Sequence, residues 1–375
     1  MGLWLLMSII SIPFHFYLIP NFGAHFSSIA SHITIPLSEI IFLKKIEFGY
    51  QSDGIIYWIQ IVTLLPASLI IYLIYLKISF RKDNLTHWLQ ISLTYILAFF
   101  LLKYGADKLF QNQFYPPEPN IAFTPAGQLS KDILFWTSMG TSSIYNNYMA
   151  LAEIIPGILL LIPKFRKLGI IIAIGVLTNV VAVNYGFNIT VKLLSSLLLL
   201  IAAYLTLPFI KSLYAFFILN KSAVDSEPLN ERHIKNKRYK KGIITALMLL
   251  EILIPYTNHS KEVNTSSIGT YEILSNESLF LKDVKRIHIH SKKFLILENH
   301  NNEFKDFKYK SFGSFIQLNT GHQNVSIDLR KNETYRITIV EDGKKSSAKL
   351  REINLKNLPL YQDNLNLTRE GVLSN

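Results

Sequence analysis

Apolar residues form seven blocks along the chain, and each block predicts a helix that crosses a membrane or nearly does so. A spanning helix needs roughly 20 residues, because each residue advances the helix by about 1.5 Å. The last block is the weakest, since its 14 residues reach only about 21 Å. The blocks are residues 1–19, 55–76, 85–102, 148–162, 168–185, 191–207 and 243–256.

The C-terminal region has a different pattern, in which apolar and polar residues alternate. Alternation with a period of two residues, interrupted by turn residues such as Gly321 and Gly343, is typical of short antiparallel strands. It occurs in residues 284–290, 314–318, 325–329 and 335–340. The sequence therefore predicts an all-α polytopic membrane protein with about seven transmembrane helices, followed by a small all-β antiparallel domain.

These patterns divide the chain into five parts. We predict two N-terminal transmembrane helices with an interfacial loop, a four-helix membrane core, a basic cytoplasmic linker, a last transmembrane helix, and a soluble β domain with a loose tail. In that order, their ranges are residues 1–84, 85–220, 221–241, 242–257 and 258–375. The core contains a long outer loop, residues 105–147, whose prolines favour extended backbone and which is the best candidate for a lid.

The basic residues fall in alternate connections, which predicts the orientation of the helices. Lys and Arg are retained on the cytoplasmic side during membrane insertion. They concentrate in the 221–241 linker and in two shorter connections, at Lys77, Arg81 and Lys82 and at Lys164, Arg166 and Lys167. We therefore expect a cytoplasmic N-terminus and a β domain outside the cytoplasm. The net charge of +12 then reflects topology, so the bilayer is the expected partner and nucleic acid is not.

Composition narrows the chemistry. Half of the residues are hydrophobic and 17% are charged, whereas a soluble domain is about a quarter charged. The chain contains no cysteine, which excludes a disulfide, a thiolate nucleophile and a Cys-ligated metal or cluster within it. Any redox role therefore requires a bound cofactor or a partner protein.

Several polar residues are predicted to lie in the outer half of the membrane core. Glu153 and Asn179 share a depth of roughly 8 to 9 Å below the outer ends of their blocks. Ionisable groups in a span are costly unless paired, so one interpretation is a set of bonds that holds the bundle together. The other is the polar floor of an outward-facing pocket for a quinone-like or other small ligand. The candidate residues are Glu153, Asn179, Asn184, Lys192, Lys108 and Asp107.

Two aromatic residues of the outer loop, Trp136 and Tyr145, are candidates for the mouth of such a pocket. Their simpler role is in the aromatic belt at the membrane interface. In the β domain, His288 and His290 point to one face of a strand, as metal ligands do, but we expect a solvated strand face and no metal site. The sequence assigns no catalytic residue.

Two segments of the core resemble DoxX-like membrane proteins. The run Leu-Ala-Phe-Phe-Leu-Leu-Lys-Tyr-Gly-Ala-Asp-Lys-Leu-Phe at 97–110 resembles the end of that family's first core helix. The run Ala-Glu-Ile-Ile-Pro-Gly at 152–157 resembles the second, with Pro156 between the family's glutamate and glycine. Residues 134–141, 178–181 and 191–193 are similar to a larger subgroup, which adds two spans before the core and a soluble β domain after it. Glu153 and Lys108 are the family-typical positions.

The resemblance implies a four-helix core in a bacterial inner membrane. It also implies a role in quinone-coupled oxidation, in a redox process or in assembly of the cell envelope. The leading hypothesis is an accessory or quinone-associated subunit. A quinone is the candidate cofactor, and the sequence assigns no other. One alternative is an assembly protein. Its β domain would lie in the periplasm and bind a membrane or periplasmic protein. A small-molecule transporter ranks last, because the inner halves of the core helices are almost purely aliphatic.

Overall fold

The structure, a computed structural model, describes residues 1–14, 22–43, 53–78, 82–221, 238–259, 268–290, 293–312, 315–319, 324–330, 335–341 and 344–362. Residues 222–237 of the predicted linker, residues 363–375 of the predicted tail, Arg81, Gly321 and Gly343 lie outside these ranges. The chain forms two compact units. The helical unit comprises Met1–Gln113 and Asn147–Asn258, and the barrel unit comprises Phe114–Asn146 and His259–Asn375.

Helices account for most of the helical unit, and one further helix, α5, belongs to the barrel unit. The helices are α1 Gly2–Ser11, α2 Phe22–Phe42, α3 Ile55–Ile78, α4 Lys82–Leu109, α5 Lys131–Gly140, α6 Ser143–Leu161, α7 Arg166–Gly186, α8 Lys192–Thr206, α9 Ile210–Phe217 and α10 Arg238–His259.

Within the described ranges, five helical segments are long and apolar enough to cross a membrane. They are Ile55–Ile78, Leu85–Leu109, Ser143–Leu161, Pro163–Gly186 and Lys192–Phe217. These segments coincide with the second to sixth predicted blocks and confirm a membrane protein. The first and last blocks correspond to shorter apolar helices, Gly2–Ser11 and Ile244–Ile254, so the count of seven spans stays a prediction.

The first predicted block is not one continuous helix. α1 ends at Ser11, and Ile12 takes extended backbone with φ −75° and ψ 130°. The cause is Pro13, because the ring of a proline disfavours helical backbone at the residue before it. Residues 15–19 of this block lie outside the described ranges.

α2 occupies part of the segment that the sequence predicts as an interfacial loop. Two of its serine hydroxyls bond to carbonyl oxygens of the same helix, Ser31 Oγ to Ser28 at 2.6 Å and Ser38 Oγ to Ile35 at 2.7 Å. Such bonds satisfy polar side chains without a partner helix. A hydropathy pattern therefore under-predicts this helix.

α4 and α8 are the central helices of the helical unit. About half of each candidate span is buried, 50% for α4 and 56% for α8, against 28% for α3. Leu93 and Leu97 of α4 and Leu193 and Leu197 of α8 belong to one buried core. α3 instead exposes a continuous apolar face, including Leu69, which suits contact with lipid.

α4 and α6 approach each other closely through two glycines. A Cβ atom on Gly105 would lie 2.6 Å from Cγ1 of Ile154, and one on Gly157 would lie 2.8 Å from Cγ of Leu102. Both distances are shorter than any ordinary carbon contact, so only glycine allows this spacing. Small residues at helix crossings in membranes serve the same purpose generally.

The described residues of the barrel unit form eight antiparallel strands, each paired with the next, and β1 also pairs with β8 to close the sheet. The four alternating segments found in the sequence coincide with β2, β5, β6 and β7, which confirms the antiparallel β region. Inside the sheet, Tyr271, Leu295 and Ile339 are fully buried. The strands are β1 Gly269–Asn276, β2 Val284–Ile289, β3 Phe294–Asn299, β4 Phe304–Phe312, β5 Phe315–Asn319, β6 Asn324–Arg330, β7 Tyr335–Glu341 and β8 Lys344–Ile353.

The barrel unit also includes Phe114–Asn146, here called the insertion, which corresponds to most of the predicted outer loop. Its two ends are joined, because Asn146 Nδ2 donates to the carbonyl oxygen of Phe114 at 2.9 Å. The backbone of Tyr115 also passes so close to Gly140 that a Cβ there would lie 2.1 Å from the Tyr115 carbonyl oxygen. Whether the insertion acts as a lid over the core stays a prediction.

Candidate functional site

The close approach of α4 and α6 places Lys108 beside Glu153. Lys108 Nζ lies 2.7 Å from Oε2 of Glu153 and 2.8 Å from Oε1 of Gln113. The side chains of Lys108 and Glu153 are 5% and 4% exposed, so the ion pair is almost completely buried. Burying one of these charges alone would cost several kcal/mol, which the partner charge and the amide oxygen largely offset.

The ion pair borders a small cavity between α4, α6, α7 and α8. The volume of the cavity is about 50 Å³, enough for a few water molecules. Polar side chains line it on the side of α4 and α6 and on the side of α7 and α8, and the remaining lining residues are aromatic or aliphatic. The lining residues are Phe100, Leu101, Tyr104, Lys108, Gln113, Glu153, Leu177, Val180, Asn184, Val191, Leu194, Ser195 and Leu198.

On the side of α7 and α8, the polar groups of the cavity are Asn184 and Ser195. Asn184 Nδ2 donates to Ser195 Oγ at 3.0 Å, and Ser195 Oγ donates to the carbonyl oxygen of Lys192 at 3.0 Å. Asn184 is only 5% exposed. The cavity is therefore lined by an ion pair and by an amide and a hydroxyl, a mixture that suits a ligand with a polar head.

The N-terminus of α8 is held by a residue from a distant part of the chain. The Asp53 carboxylate accepts hydrogen bonds from the backbone N–H groups of Val191, Lys192 and Leu193, at 2.9, 3.0 and 3.1 Å. A carboxylate there satisfies donors that a helix start leaves unpaired and complements the helix dipole. Val191 precedes the helix with φ 93°, a strained conformation for a β-branched residue that these bonds help to hold.

Lys192 and Asp107 lie near the cavity without lining it. Lys192 Nζ is 3.7 Å from the Asp53 carboxylate. Asp107 pairs with Lys103 Nζ at 2.6 Å and accepts a hydrogen bond from the Tyr256 hydroxyl at 2.7 Å, which ties α10 to α4. Successive residues of a helix point about 100° apart, so Asp107 faces α10 while Lys108 faces the cavity.

Asn179, unlike Asn184, is exposed and does not line the cavity. Five residues separate the two asparagines on α7, which puts their side chains about 140° apart around the helix. Asn179 is a candidate by its depth alone, and depth does not determine which face of the helix a residue occupies.

Trp136 and Tyr145 belong to the barrel unit. The Trp136 ring packs 5.1 Å from the Phe114 ring, between centroids, and Tyr145 is 44% exposed. Their predicted position at the mouth of a pocket stays a prediction.

Comparison with known proteins gives one clear relationship. A stretch of 109 residues is 33% identical to the uncharacterized protein YwoB of Bacillus subtilis (strain 168), and covers 29% of this chain and 69% of YwoB. The chain belongs to the YwoB family. No family model matches the chain, and no solved structure does. Membership of the YwoB family supplies no activity, so the DoxX-like resemblance stays a prediction.

Sequence reasoning missed several residues around the cavity of this YwoB-family protein. Asp53 gave no signal, because it lies 138 residues before the first backbone group that it binds. Ser195 is hidden in an aliphatic helix. Gln113 was also missed, although its position five residues after Lys108, just beyond the end of α4, is a local signal that could have indicated it.

The barrel unit contains a second buried polar cluster, on β1, β2 and β3. Thr270 Oγ1 lies 2.9 Å from His288 Nδ1, and His288 Nε2 lies 3.1 Å from Glu298 Oε2. Arg286 Nη1 donates to both Glu298 oxygens, at 2.8 and 3.1 Å. From the insertion, the Phe123 ring lies 4.3 Å below the Arg286 guanidinium. The cluster therefore joins three strands to the insertion.

The expectation of a solvated face for His288 and His290 is wrong. His288 is 0% exposed and His290 is 8% exposed. Alternation in the sequence shows that the two residues share a face of the strand, but it does not show which face the insertion covers. In the described ranges no three His, Asp or Glu residues are grouped as metal ligands.

Burial and hydrogen bonding fix the charges in this cluster. Burial lowers the pKa of His288, and its bonds to Glu298 only partly oppose that effect. Burial would raise the pKa of Glu298, but hydrogen bonds from His288 and Arg286 outweigh it and hold this pKa below its ordinary value. Near neutral pH, a neutral His288 therefore donates from Nε2 to an ionised Glu298 and accepts from the Thr270 hydroxyl at Nδ1.

Proposed function

We propose that this protein is a DoxX-like subunit of a bacterial inner membrane, and that the cavity between α4, α6, α7 and α8 binds a quinone-like or other small carbonyl ligand. One observation carries the proposal. The two positions that the DoxX-like resemblance marks, Lys108 and Glu153, are 45 residues apart in the chain and meet at 2.7 Å on the border of the cavity. A purely mechanical ion pair needs no adjoining space, whereas a ligand site does.

The proposed chemistry divides between the two charged groups. Lys108 donates a hydrogen bond to a carbonyl oxygen of the ligand, and Glu153 balances the lysine charge and accepts or relays a proton. The cavity of about 50 Å³ holds a carbonyl group and waters but not a ring. In the proposal the ring of the ligand therefore lies outside this volume, and only its carbonyl group enters the cavity. Any electrons come from a bound cofactor or from a partner protein, because the chain has no cysteine for a dithiol exchange.

The proposed orientation puts the N-terminus in the cytoplasm and the C-terminal β region in the periplasm. It rests on the basic connection between α6 and α7, with Lys164, Arg166 and Lys167, and on the Lys77 connection. Protease added to inside-out and right-side-out vesicles tests it. Cleavage after residue 258 only from the cytoplasmic face would overturn it.

Substitution of Glu153 by Gln separates ligand binding from support of the bundle. Glutamine keeps the size and a hydrogen bond to Lys108 but removes the negative charge. We expect a lower folded yield, because the buried Lys108 charge loses its carboxylate partner, and clearly weaker binding of a soluble quinone analogue by the folded full-length protein in nanodiscs. Lost yield with unchanged binding in the folded fraction would support a structural ion pair and contradict the ligand site.

A second candidate function is partner binding by the barrel unit. The observation that favours it is that the insertion and the C-terminal strands form one compact unit, although 112 residues separate them in the chain. Purification in mild detergent distinguishes the two functions. A stoichiometric protein partner with no small molecule would favour partner binding, and a co-purifying quinone identified by mass spectrometry would favour the cavity.

A further inference from the structure

The barrel unit contains a second and larger cavity, formed by the insertion and by the turns that follow β8. Its volume is about 630 Å³, which is within the range of small-molecule sites. None of the described residues that line it is charged. They are Ile121, Ala122, Thr124, Ala126, Leu129, Leu134, Thr137, Ser138, Thr141, Leu358, Pro359 and Leu360.

The two walls of this cavity are fastened to each other. The Tyr361 hydroxyl, next to the lining residue Leu360, donates to the carbonyl oxygens of Pro117 and Glu118 at 3.0 and 3.4 Å. Burial and the nearby Glu118 raise the pKa of Tyr361 to about 12, so the hydroxyl keeps its proton at physiological pH. The cavity is therefore a formed feature of the barrel unit.

The cavity is less polar than the number of hydroxyl groups in its lining suggests. Each of three donates its proton to the backbone of its own segment: Ser138 to Leu134 at 2.9 Å, Thr141 to Ser138 at 2.8 Å, and Thr124 to Asn120 at 2.9 Å. Hydroxyls bonded in this way leave mainly methyl and methylene groups for a ligand to contact. Such a wall favours an uncharged aliphatic ligand.

The chain itself limits how far this cavity can be from a bilayer. Thr141 lines the cavity, and the candidate span Ser143–Leu161 begins two residues later. Two residues of chain reach at most about 7 Å. Membrane lipids are therefore the closest abundant source of an aliphatic chain. We infer that the cavity between the insertion and the turns after β8 binds one hydrocarbon chain of a membrane lipid.

Photolabelling of the full-length protein in vesicles tests this site. The probe is a phosphatidylcholine with a diazirine in the middle of one acyl chain, and mass spectrometry maps the labelled peptides. We expect label in residues 121–141 and 358–360, in addition to the exposed face of α3, which serves as the positive control. Label on α3 with none in the barrel unit would overturn the proposal.

Two tryptophan substitutions on α5 make the test specific. Ser138 lines the cavity and Ile133 does not, although both are exposed. We expect Ser138→Trp to remove most of the label from residues 121–141 and Ile133→Trp to leave it unchanged, with equal labelling of α3 in both. Equal label in both variants would show adsorption to the surface and contradict the site. Leu360→Trp, on the opposite wall, repeats the test if Ser138→Trp does not fold.

Discussion

The two units each bury a carboxylate with a cation, but they surround it differently. In the helical unit, Lys108 and Glu153 border a cavity of about 50 Å³. In the barrel unit, the fully buried Glu298 pairs with His288 and Arg286, and the Phe123 ring covers the Arg286 guanidinium. A buried charge cluster with adjoining space can receive a ligand, whereas a packed one can only hold its own elements together. The presence of space, and not the presence of charge, distinguishes the candidate site.

The largest expected effect comes from breaking the packed cluster. Glu298→Ala leaves the Arg286 charge, which is only 17% exposed, without its carboxylate, so we expect the free energy of unfolding of the barrel unit to fall by about 3 to 5 kcal/mol. Pulse proteolysis of the full-length protein in detergent measures it. The control is Glu272→Ala, which removes an ion pair with the exposed Arg351 and should cost at most about 1 kcal/mol. Similar costs for both variants would contradict the special role of the buried cluster.

The ion pair of the helical unit should behave differently when both partners are replaced. Lys108→Met alone leaves a buried carboxylate and should destabilise the unit by about 3 to 5 kcal/mol. The double variant Lys108→Met, Glu153→Leu should regain most of that stability, because apolar residues of similar size replace a buried pair at little cost. Ligand binding should stay lost in the double variant. Recovered binding would show that the pair is not part of the ligand site.

Asp53 tests whether the start of α8 holds the cavity in shape. Asp53→Ala removes three hydrogen bonds to backbone N–H groups, and we expect a loss of about 1 to 2 kcal/mol in thermal or denaturant unfolding. Asp53→Asn keeps an acceptor oxygen and should recover part of the loss. An alanine variant as stable as wild type would show that α8 does not depend on this cap.

The smallest expected effect is a dependence of barrel stability on pH. His288 has a lowered pKa in the folded protein, so the unfolded chain binds more protons near its ordinary pKa of 6.5. Stability is therefore full above about pH 6.5 and declines as the pH falls below it. The lowered pKa of Glu298 acts in the same direction at still lower pH. Melting temperatures should fall on acidification, and His288→Gln should reduce that slope. An unchanged slope would contradict a neutral buried His288.

The sequence predicts parts of the fold and site that depend on local pattern. Five spans follow from apolar length, and the strands follow from alternation. Lys108 and Glu153 were found because each lies in a recognisable run beside a glycine. Depth in the membrane does not distinguish Asn179 from Asn184, because depth does not fix the face of a helix. Asp53 could not be predicted from the sequence, since its hydrogen-bond partners depend on how distant helices pack.

The burial of His288 was missed for a related physical reason. Alternation assigns residues to the two faces of a strand, but the face that is covered depends on what packs there. Here the insertion, separated from β2 by more than a hundred residues, supplies Phe123 to that face. Long-range coverage of this kind has no signature in a single sequence.

Substitution of the two asparagines of α7 tests the claim that the cavity of the helical unit is a ligand site. Asn184 lines the cavity and Asn179 is exposed on another face of the same helix. Titration of a soluble quinone analogue into nanodiscs, with melting temperature measured alongside, compares Asn184→Leu with Asn179→Leu. We predict that Asn184→Leu loses binding while remaining folded and that Asn179→Leu binds as wild type does. Equal binding by both variants would contradict the claim.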